Sequence, residues 1–331
     1  MLKIFLSVSP LSLYPRIIIN VIKNDILRLY SPSSAVIGLT YLCQCQCVHC
    51  SASLYKKDTR GELTLAEIKK LLDEIKSLGV PRINLSGGEA LLRKDIFQII
   101  KYARNKFVTV LETNGQLLDE EKAVELKAEG ISCVAVSIDS HKPEIHDKLR
   151  NLGGCFKKAI RGISYCLRNK VPCLISTYIT SERNNPDDIN GMMALAGELK
   201  VLAVRIIPPR PVGSFSCHTS SLLSSGQEQC LTRDINHRIA YFKGIPAPKN
   251  CGIFTKSTFY ISPYGEVQPC AFLPLSFGNI RRRPLRVILN EMWDHEIFNF
   301  PDRNCLILNK EFRKRYIPEE KNSLFPIEIV K

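Results

Sequence analysis

Thr40-Tyr41-Leu42-Cys43-Gln44-Cys45-Gln46-Cys47-Val48-His49-Cys50-Ser51 is the stretch from which the rest of this chain is read. Cys43, Cys47 and Cys50 stand in the order Cys, three residues, Cys, two residues, Cys, and closely spaced thiolates of this kind hold iron–sulfur clusters. A cubane cluster has four irons, so three thiolates leave one iron open to a substrate or cofactor. Structural zinc is the competing reading, but it favours Cys-x2-Cys pairs, usually two of them, and no second pair follows. Cys45 puts a fourth thiol inside the loop.

Upstream, residues 1–34 form an N-terminal extension. Arg16 to Tyr30 carries apolar side chains at helical spacing with Lys23, Asn24 and Asp25 opposite, and Ser31 to Ser34 ends it. The start has a basic residue and an apolar run. Pro10 and Pro15 interrupt it and no small-x-small site follows, so we expect a packed extension rather than an export signal. Ala35 to Thr40 reads as a strand delivering the cysteine loop from its carboxyl end.

Downstream, strand patterns at Arg82 to Ser86, Phe107 to Glu112, Ile131 to Ser137, Val171 to Thr180 and Leu202 to Ile207 alternate with helical ones. The helical patterns cover Thr64 to Leu78, Lys94 to Asn105, Leu118 to Ala128, Cys155 to Asn169 and Pro186 to Leu199. This alternation argues for an α/β fold with a parallel sheet and right-handed crossovers, and leaves open whether the sheet is doubly wound or curls into an arc. Pro208, Pro209, Pro211 and Gly213, then serines to Ser225, mark a connector at 209–250. A helix is expected over Gln227 to Tyr241, a hairpin over Thr258 to Val267 turning at Pro263-Tyr264-Gly265, and a helix from Leu285 to Phe298. The smaller unit, 251–331, is thus expected to be α+β, with a charged tail.

The cysteine spacing resembles the radical SAM superfamily, whose members bind S-adenosylmethionine (SAM) at the open iron of a 4Fe–4S cluster. In that family an electron from the cluster cleaves the sulfonium, and the 5′-deoxyadenosyl radical abstracts hydrogen from a substrate. The resemblance implies a partial (β/α)6 TIM barrel over 35–208, with reactive groups at the carboxyl ends of the strands. It makes Cys43, Cys47 and Cys50 the cluster ligands. Leu85-Ser86-Gly87-Gly88-Glu89 matches the turn that contacts the SAM amino group, with Glu89 as acceptor and Gly87 and Gly88 letting backbone approach closely. Thr113-Asn114-Gly115 matches a turn near the ribose and reacting centre, where Asn114 is preferred over Glu112. Ser137-Ile138-Asp139-Ser140 with His146, Asp147 and Arg150 is similar to a further family run. It implies that Ser137 and Arg150 reach the SAM ribose or carboxylate and that Asp139 accepts from the substrate. His49 would lie beside the adenine through its backbone. Read without the resemblance, these are ordinary turns, a helix cap and paired surface charges.

Cys251, thirteen residues, Gly265, four residues, Cys270 resembles the opening of the SPASM domain. The family's further run of close cysteines is missing and only Cys305 follows, which suits the shorter twitch arrangement with one auxiliary 4Fe–4S cluster. Cys251, Cys270 and Cys305 would hold it, with Cys217 or Cys230 as a fourth ligand or an iron left open to substrate. An iron-free hairpin unit is the alternative. Cys133, Cys166 and Cys173 fall in apolar patterns and read as buried small hydrophobes.

Composition bounds the rest. The 331 residues are 45% hydrophobic and 24% charged, with no apolar run long enough for a membrane span. Thirteen cysteines with metal-type spacing fit a reducing, cytoplasmic setting better than a disulfide framework. A net charge of +14 fits a nucleic acid, a membrane surface or an acidic substrate. Tight clusters occur only at Arg281 to Arg283 and near Arg313 to Arg315, which argues against nucleic acid. The expectation is a radical SAM enzyme that matures a peptide, protein or cofactor, supplied by an electron donor such as ferredoxin or flavodoxin. A small carboxylated substrate such as a tetrapyrrole, clamped by Arg205 or Arg210, is the alternative substrate. A non-enzymatic iron–sulfur carrier or nucleic-acid-binding module is the alternative class.

Overall fold

Short aliphatic and β-branched runs bounded by turn residues become the strands of one sheet, seen in a computed structural model describing residues 6–27, 29, 31–55, 61–216, 218–235, 240–242, 251–300, 305–317 and 326–329. The strands are β1 (Ser34–Thr40), β2 (Arg82–Gly87), β3 (Val108–Thr113), β4 (Cys133–Ser137), β5 (Cys173–Tyr178), β6 (Val204–Ile207), β7 (Ala240–Phe242), β8 (Thr258–Ile261) and β9 (Val267–Gln268). Their order is β7-β6-β5-β4-β3-β2-β1-β8-β9. Every neighbouring pair is parallel except β8 with β9. Strands covered on both faces need apolar side chains on both, and β3 to β6 are buried along nearly their whole length.

One side-chain bond decides between a flat and a curled sheet. Arg205 on β6 donates from Nη1 to Glu112 Oε1 on β3 at 2.8 Å, although β4 and β5 lie between them in the sheet. A reach across two strands requires the sheet to curve until β6 faces β3, so the sheet is an arc with a lumen. Asn84 and Ser86 on β2 also donate to Glu112, at 2.8 and 2.6 Å. A polar seam therefore lines the concave face.

The covering helices are α1 (Tyr14–Val21), α2 (Leu65–Ser77), α3 (Ile96–Ala103), α4 (Glu120–Ala128), α5 (Pro143–Arg150), α6 (Cys155–Arg168), α7 (Pro186–Leu199), α8 (Ser225–Asp234), α9 (Leu285–Asp294) and α10 (Lys310–Tyr316). Thr64 and Glu67 cap α2 reciprocally, as the Thr-x-x-Glu pattern dictates. Among the described residues no helix is long and apolar enough to cross a membrane.

Three expectations need correction, and one element goes beyond them. The helix expected over Gln227 to Tyr241 ends at Asp234, and Ala240–Phe242 instead becomes β7, which pairs with the exposed edge of β6. Unpaired ladder groups there outweigh local helical pattern. Pro143–Arg150, to which the sequence reading assigns no element, is helical, started by Pro143 at its first turn and stopped by Asn151 at φ 50. The helix from Leu285 ends at Asp294, where His295 turns extended and caps a short 3-10 turn at Glu296–Asn299. The helix expected over Arg16 to Tyr30 is α1 followed by a wider turn at Ile22–Ile26. The hairpin is as expected, with Gly265 at φ 91 in its turn, and β8 extends the sheet by pairing with β1.

Candidate functional site

β1 hands the chain to the cysteine loop, and α5 anchors that loop from the other side. Gln46 and Val48 donate backbone N–H to the carbonyls of Arg150 and Leu149 at 3.3 and 3.0 Å, satisfying groups that a helix end leaves orphaned. Cys45, Cys47 and Cys155 form a buried group against which Cys43, Cys50 and Leu152 pack. Cys155, at the start of α6, is the residue sequence reasoning missed; only Gly153-Gly154 before it hints at a close approach.

Cys155 is held by neutral donors. Gln116 Nε2 donates to its Sγ at 3.1 Å, and His146 Nε2 lies 3.4 Å away. His146 Nδ1 accepts the Asp139 N–H at 3.0 Å, so the ring proton sits on Nε2, facing the sulfur. His146, Asp147 and Cys155 bring ligand atoms within 4.8 Å of one another. An ion there is disfavoured, because Nε2 carries the proton and the Asp147 carboxylate already accepts from Gly154 and Phe156 at 2.6 and 2.7 Å.

The loop's electrostatics fit thiolate ligands. Hydrogen bonding from Cys45 lowers the Cys43 thiol to about 6, against the opposing effect of burial, and lowers Cys47 as well. Cys45 itself is pushed up by its hydrogen bonds to Cys155, Cys43 and Cys47. Arg150 Nη1 lies 3.7 Å from Cys47 Sγ and Asn114 Nδ2 donates to Cys43 Sγ at 3.5 Å.

At the end of β2 the chain doubles back onto the loop. Gly88 and Glu89 donate backbone N–H to the carbonyls of Thr40 and Leu42 at 2.7 and 2.8 Å. A Cβ on Gly88 would stand 2.3 Å from the Leu42 oxygen, and Gly87 adopts φ 128, so both positions require glycine. The Glu89 carboxylate is fully buried. It accepts from Leu91 N–H at 3.0 Å, Thr113 Oγ1 at 2.8 Å and Asn114 N–H at 2.7 Å. Burial raises it to about 7 against these three donors.

A second buried carboxylate lies at the end of β4, beyond the half-buried Ser137. Asp139 Oδ2 accepts from Arg150 Nε at 2.6 Å and stands 3.6 Å from His49 Nε2, while Oδ1 accepts from Tyr178 N–H at 3.3 Å. Burial alone would raise Asp139, but the Arg150 guanidinium overrides it and holds the carboxyl well below its usual range. His49 stacks on Tyr178 at 4.3 Å, and burial lowers it to about 4, leaving a neutral ring. Asp139, like Glu89, has no exposed surface, and its shortest contact is with Arg150.

Cys305 lies close enough to raise the Cys251 and Cys270 thiols electrostatically, Cys251 also raises Cys270, and all three are raised chiefly by burial, Cys251 and Cys270 to about 12. Arg210 hydrogen-bonds Cys305 and donates from Nη1 to Glu228 Oε1 at 2.8 Å. Arg210 is thus buried and paired, as Arg205 is by Glu112 and Ser176. Cys230 is exposed on α8, and Cys217 lies outside the described residues.

Comparison with known proteins agrees with this geometry. The model of the radical SAM superfamily matches residues 37–196, and that of the SPASM iron–sulfur cluster-binding domain matches residues 251–314. An AdoMet-dependent heme synthase of Methanosarcina barkeri is 31% identical over 291 residues, covering 78% of this chain and 82% of that protein. The mycofactocin maturase MftC of Mycolicibacterium smegmatis is 30% identical over 253 residues, covering 71% and 63% respectively. The crystal structure of Streptococcus suis SuiB bound to precursor peptide SuiA superposes with a TM-score of 0.67 at 17% identity, over 86% of this chain and 70% of that one, a likeness of fold.

Proposed function

The chain belongs to the radical SAM superfamily, and from that premise we propose which residues serve the reaction and on what class of substrate. Cys43, Cys47 and Cys50 hold the 4Fe–4S cluster, and Gly87, Gly88, Glu89, Thr113, Asn114, Ser137 and Arg150 form the SAM pocket. When bound, the cluster and SAM together supply the electron and the hydrogen-abstracting group. The observation that carries the assignment is one continuous hydrogen-bonded path. Asn114 donates its backbone N–H to Glu89 and its side-chain amide to Cys43, tying the pocket's carboxylate to the first cluster thiolate. Asp139 serves by fixing Arg150, and an auxiliary cluster at Cys251, Cys270 and Cys305 lies on the far side of the connector. A ferredoxin- or flavodoxin-class protein supplies electrons.

Glu89 makes this testable by pH. The SAM ammonium pairs with a carboxylate, so SAM affinity falls by up to about tenfold per unit as pH drops below about 7, where Glu89 takes up a proton. The sign for stability is the reverse. A folded value raised above the unfolded one means the native state holds the extra proton, so ligand-free stability declines as pH rises from about 4.5 through about 7. Equilibrium dialysis of SAM against the reconstituted enzyme and Glu89→Gln checks it; a wild-type profile as flat as the variant's overturns the assignment.

For the substrate we infer a carboxylated tetrapyrrole. The heme synthase relative covers most of this chain, and the exposed Leu42, Val48 and Leu92 offer apolar surface on the loops that follow β1 and β2. Arg205 in the lumen remains the cation for a carboxylate, beside the partly exposed Glu112. The likeness to MftC supports a peptide as the second reading. Anaerobic turnover with dithionite and SAM discriminates them. We expect a carboxylated tetrapyrrole to stimulate 5′-deoxyadenosine formation with a matching change in its own mass, and Arg205→Gln to raise its KM. Stimulation by a peptide and none by the tetrapyrrole overturns this reading.

A further inference from the structure

Seven of the twelve large apolar side chains exposed among the described residues lie between positions 11 and 29, which makes this the most apolar open surface among those residues. α1 and the turns on either side of it carry two apolar stripes. The inner one, Leu13 and Ile17, packs on Val108 at the start of β3, and Arg16 Nη1 and Asn20 Nδ2 tie the helix to the carbonyls of Lys106 and Pro32 at 2.6 and 3.0 Å. The outer one, Leu11, Ile18, Ile22, Ile26 and Leu29, repeats every three to seven residues along the opposite side and is left open, with Leu11 78% and Ile26 69% exposed.

Those ties fix α1 at the amino ends of the strands, opposite the cysteine loop. Because β1 to β8 run parallel, the turns entering them share that end. Residues 78–81, 104–107, 129–132, 169–172, 200–203 and 255–257 contain Arg104, Lys106, Lys170, Lys200 and Lys256 against the single acid Glu129, which Lys101 engages at 3.5 Å. Lys106 is paired with Asp73 at 2.9 Å; Lys170, Lys200 and Lys256 project from positive-φ corners. An apolar helix face at the same end of the sheet as these cations suits insertion into a surface that is apolar below and anionic above. Two copies meeting through this end would oppose like charges.

We propose that the α1 outer stripe and the basic rim at the amino end of the barrel dock this enzyme on an anionic lipid bilayer as a peripheral protein, with the substrate mouth turned away from the membrane. The full reconstituted chain is floated with phosphatidylcholine vesicles with and without phosphatidylglycerol. It should partition onto the anionic vesicles, and raising salt from about 0.1 to about 1 M, which shortens the Debye length from roughly 10 to roughly 3 Å, should release much of it. Ile18→Asp/Ile22→Asp should cut the partition coefficient by about tenfold or more, and Lys170→Glu/Lys200→Glu should lower it on anionic vesicles alone. Both act on exposed side chains, so circular dichroism, iron content and 5′-deoxyadenosine yield should stay at wild-type values and report folding. No partitioning of the wild type, equal partitioning of the Ile18→Asp/Ile22→Asp variant, or an apolar-face dimer that ignores vesicles would each overturn the proposal.

Discussion

Cys47→Ser is expected to lose the iron of one cubane per chain and to abolish 5′-deoxyadenosine formation, while the iron bound near Cys270 stays. Cys47 is buried against Cys45, Cys155 and Arg150, which keeps bulk water from taking its place as ligand. Losing a partner one shell out from a metal typically costs about 10- to 100-fold, and losing a ligand of an already three-coordinate site should exceed that range. Asn114→Ala, which removes the donor to Cys43 and to Gln44 at 3.2 Å, belongs in the milder class. Cys45→Ser is the control. Cys45 is the thiol that the three-cysteine spacing leaves out, so iron and product should stay near wild type. Iron and sulfide assays with electron paramagnetic resonance on the three variants and Cys270→Ala check the set. Full iron in Cys47→Ser, or loss of the same signal in Cys270→Ala, would sink the two-cluster assignment.

The cysteine spacing and the two glycine turns were legible because each imposes a requirement on the chain itself. Three thiolates must be close in sequence to share one loop, and Gly87 and Gly88 must lack Cβ where the Leu42 and Thr40 carbonyls crowd them. The parallel strands were legible for a similar reason, since burial on both faces forces continuous apolar runs. What the sequence hid was set by partners distant in the chain. β7 forms because β6 has a free edge, not because of its own pattern. Cys155 matters only because α6 begins behind the loop. The partners of Arg210 and Asp139 were hidden for the same reason, since Glu228 and Cys305 hold the one, and Arg150 and the Tyr178 amide hold the other, from distant parts of the chain.

That buried pair sets the second large expectation, a loss of about 3 to 5 kcal/mol of ligand-free stability in Arg150→Ala, the usual result of leaving one charge of a buried pair uncompensated. The pH dependence identifies the cause. In the wild type the Asp139 carboxyl is depressed by Arg150, so its contribution is present above the unfolded value near 4 and fades as pH falls through the folded one. Without the guanidinium, the largest effect opposing burial is gone and Asp139 rises, so the variant regains stability as acid neutralises it. The gap between the two proteins should therefore be widest near neutrality and close towards low pH. Arg150→Met/Asp139→Asn should cost less than Arg150→Ala, because it removes both charges while the introduced amide oxygen still accepts the Tyr178 N–H. The same double variant should bind SAM as weakly as Arg150→Ala if Arg150 contacts the cofactor. Urea unfolding of the wild type and both variants at several pH values, paired with SAM titrations, separates the two duties of Arg150. A stability gap unaffected by pH would assign the loss to packing around α5, and wild-type SAM affinity in the double variant would remove Arg150 from the pocket.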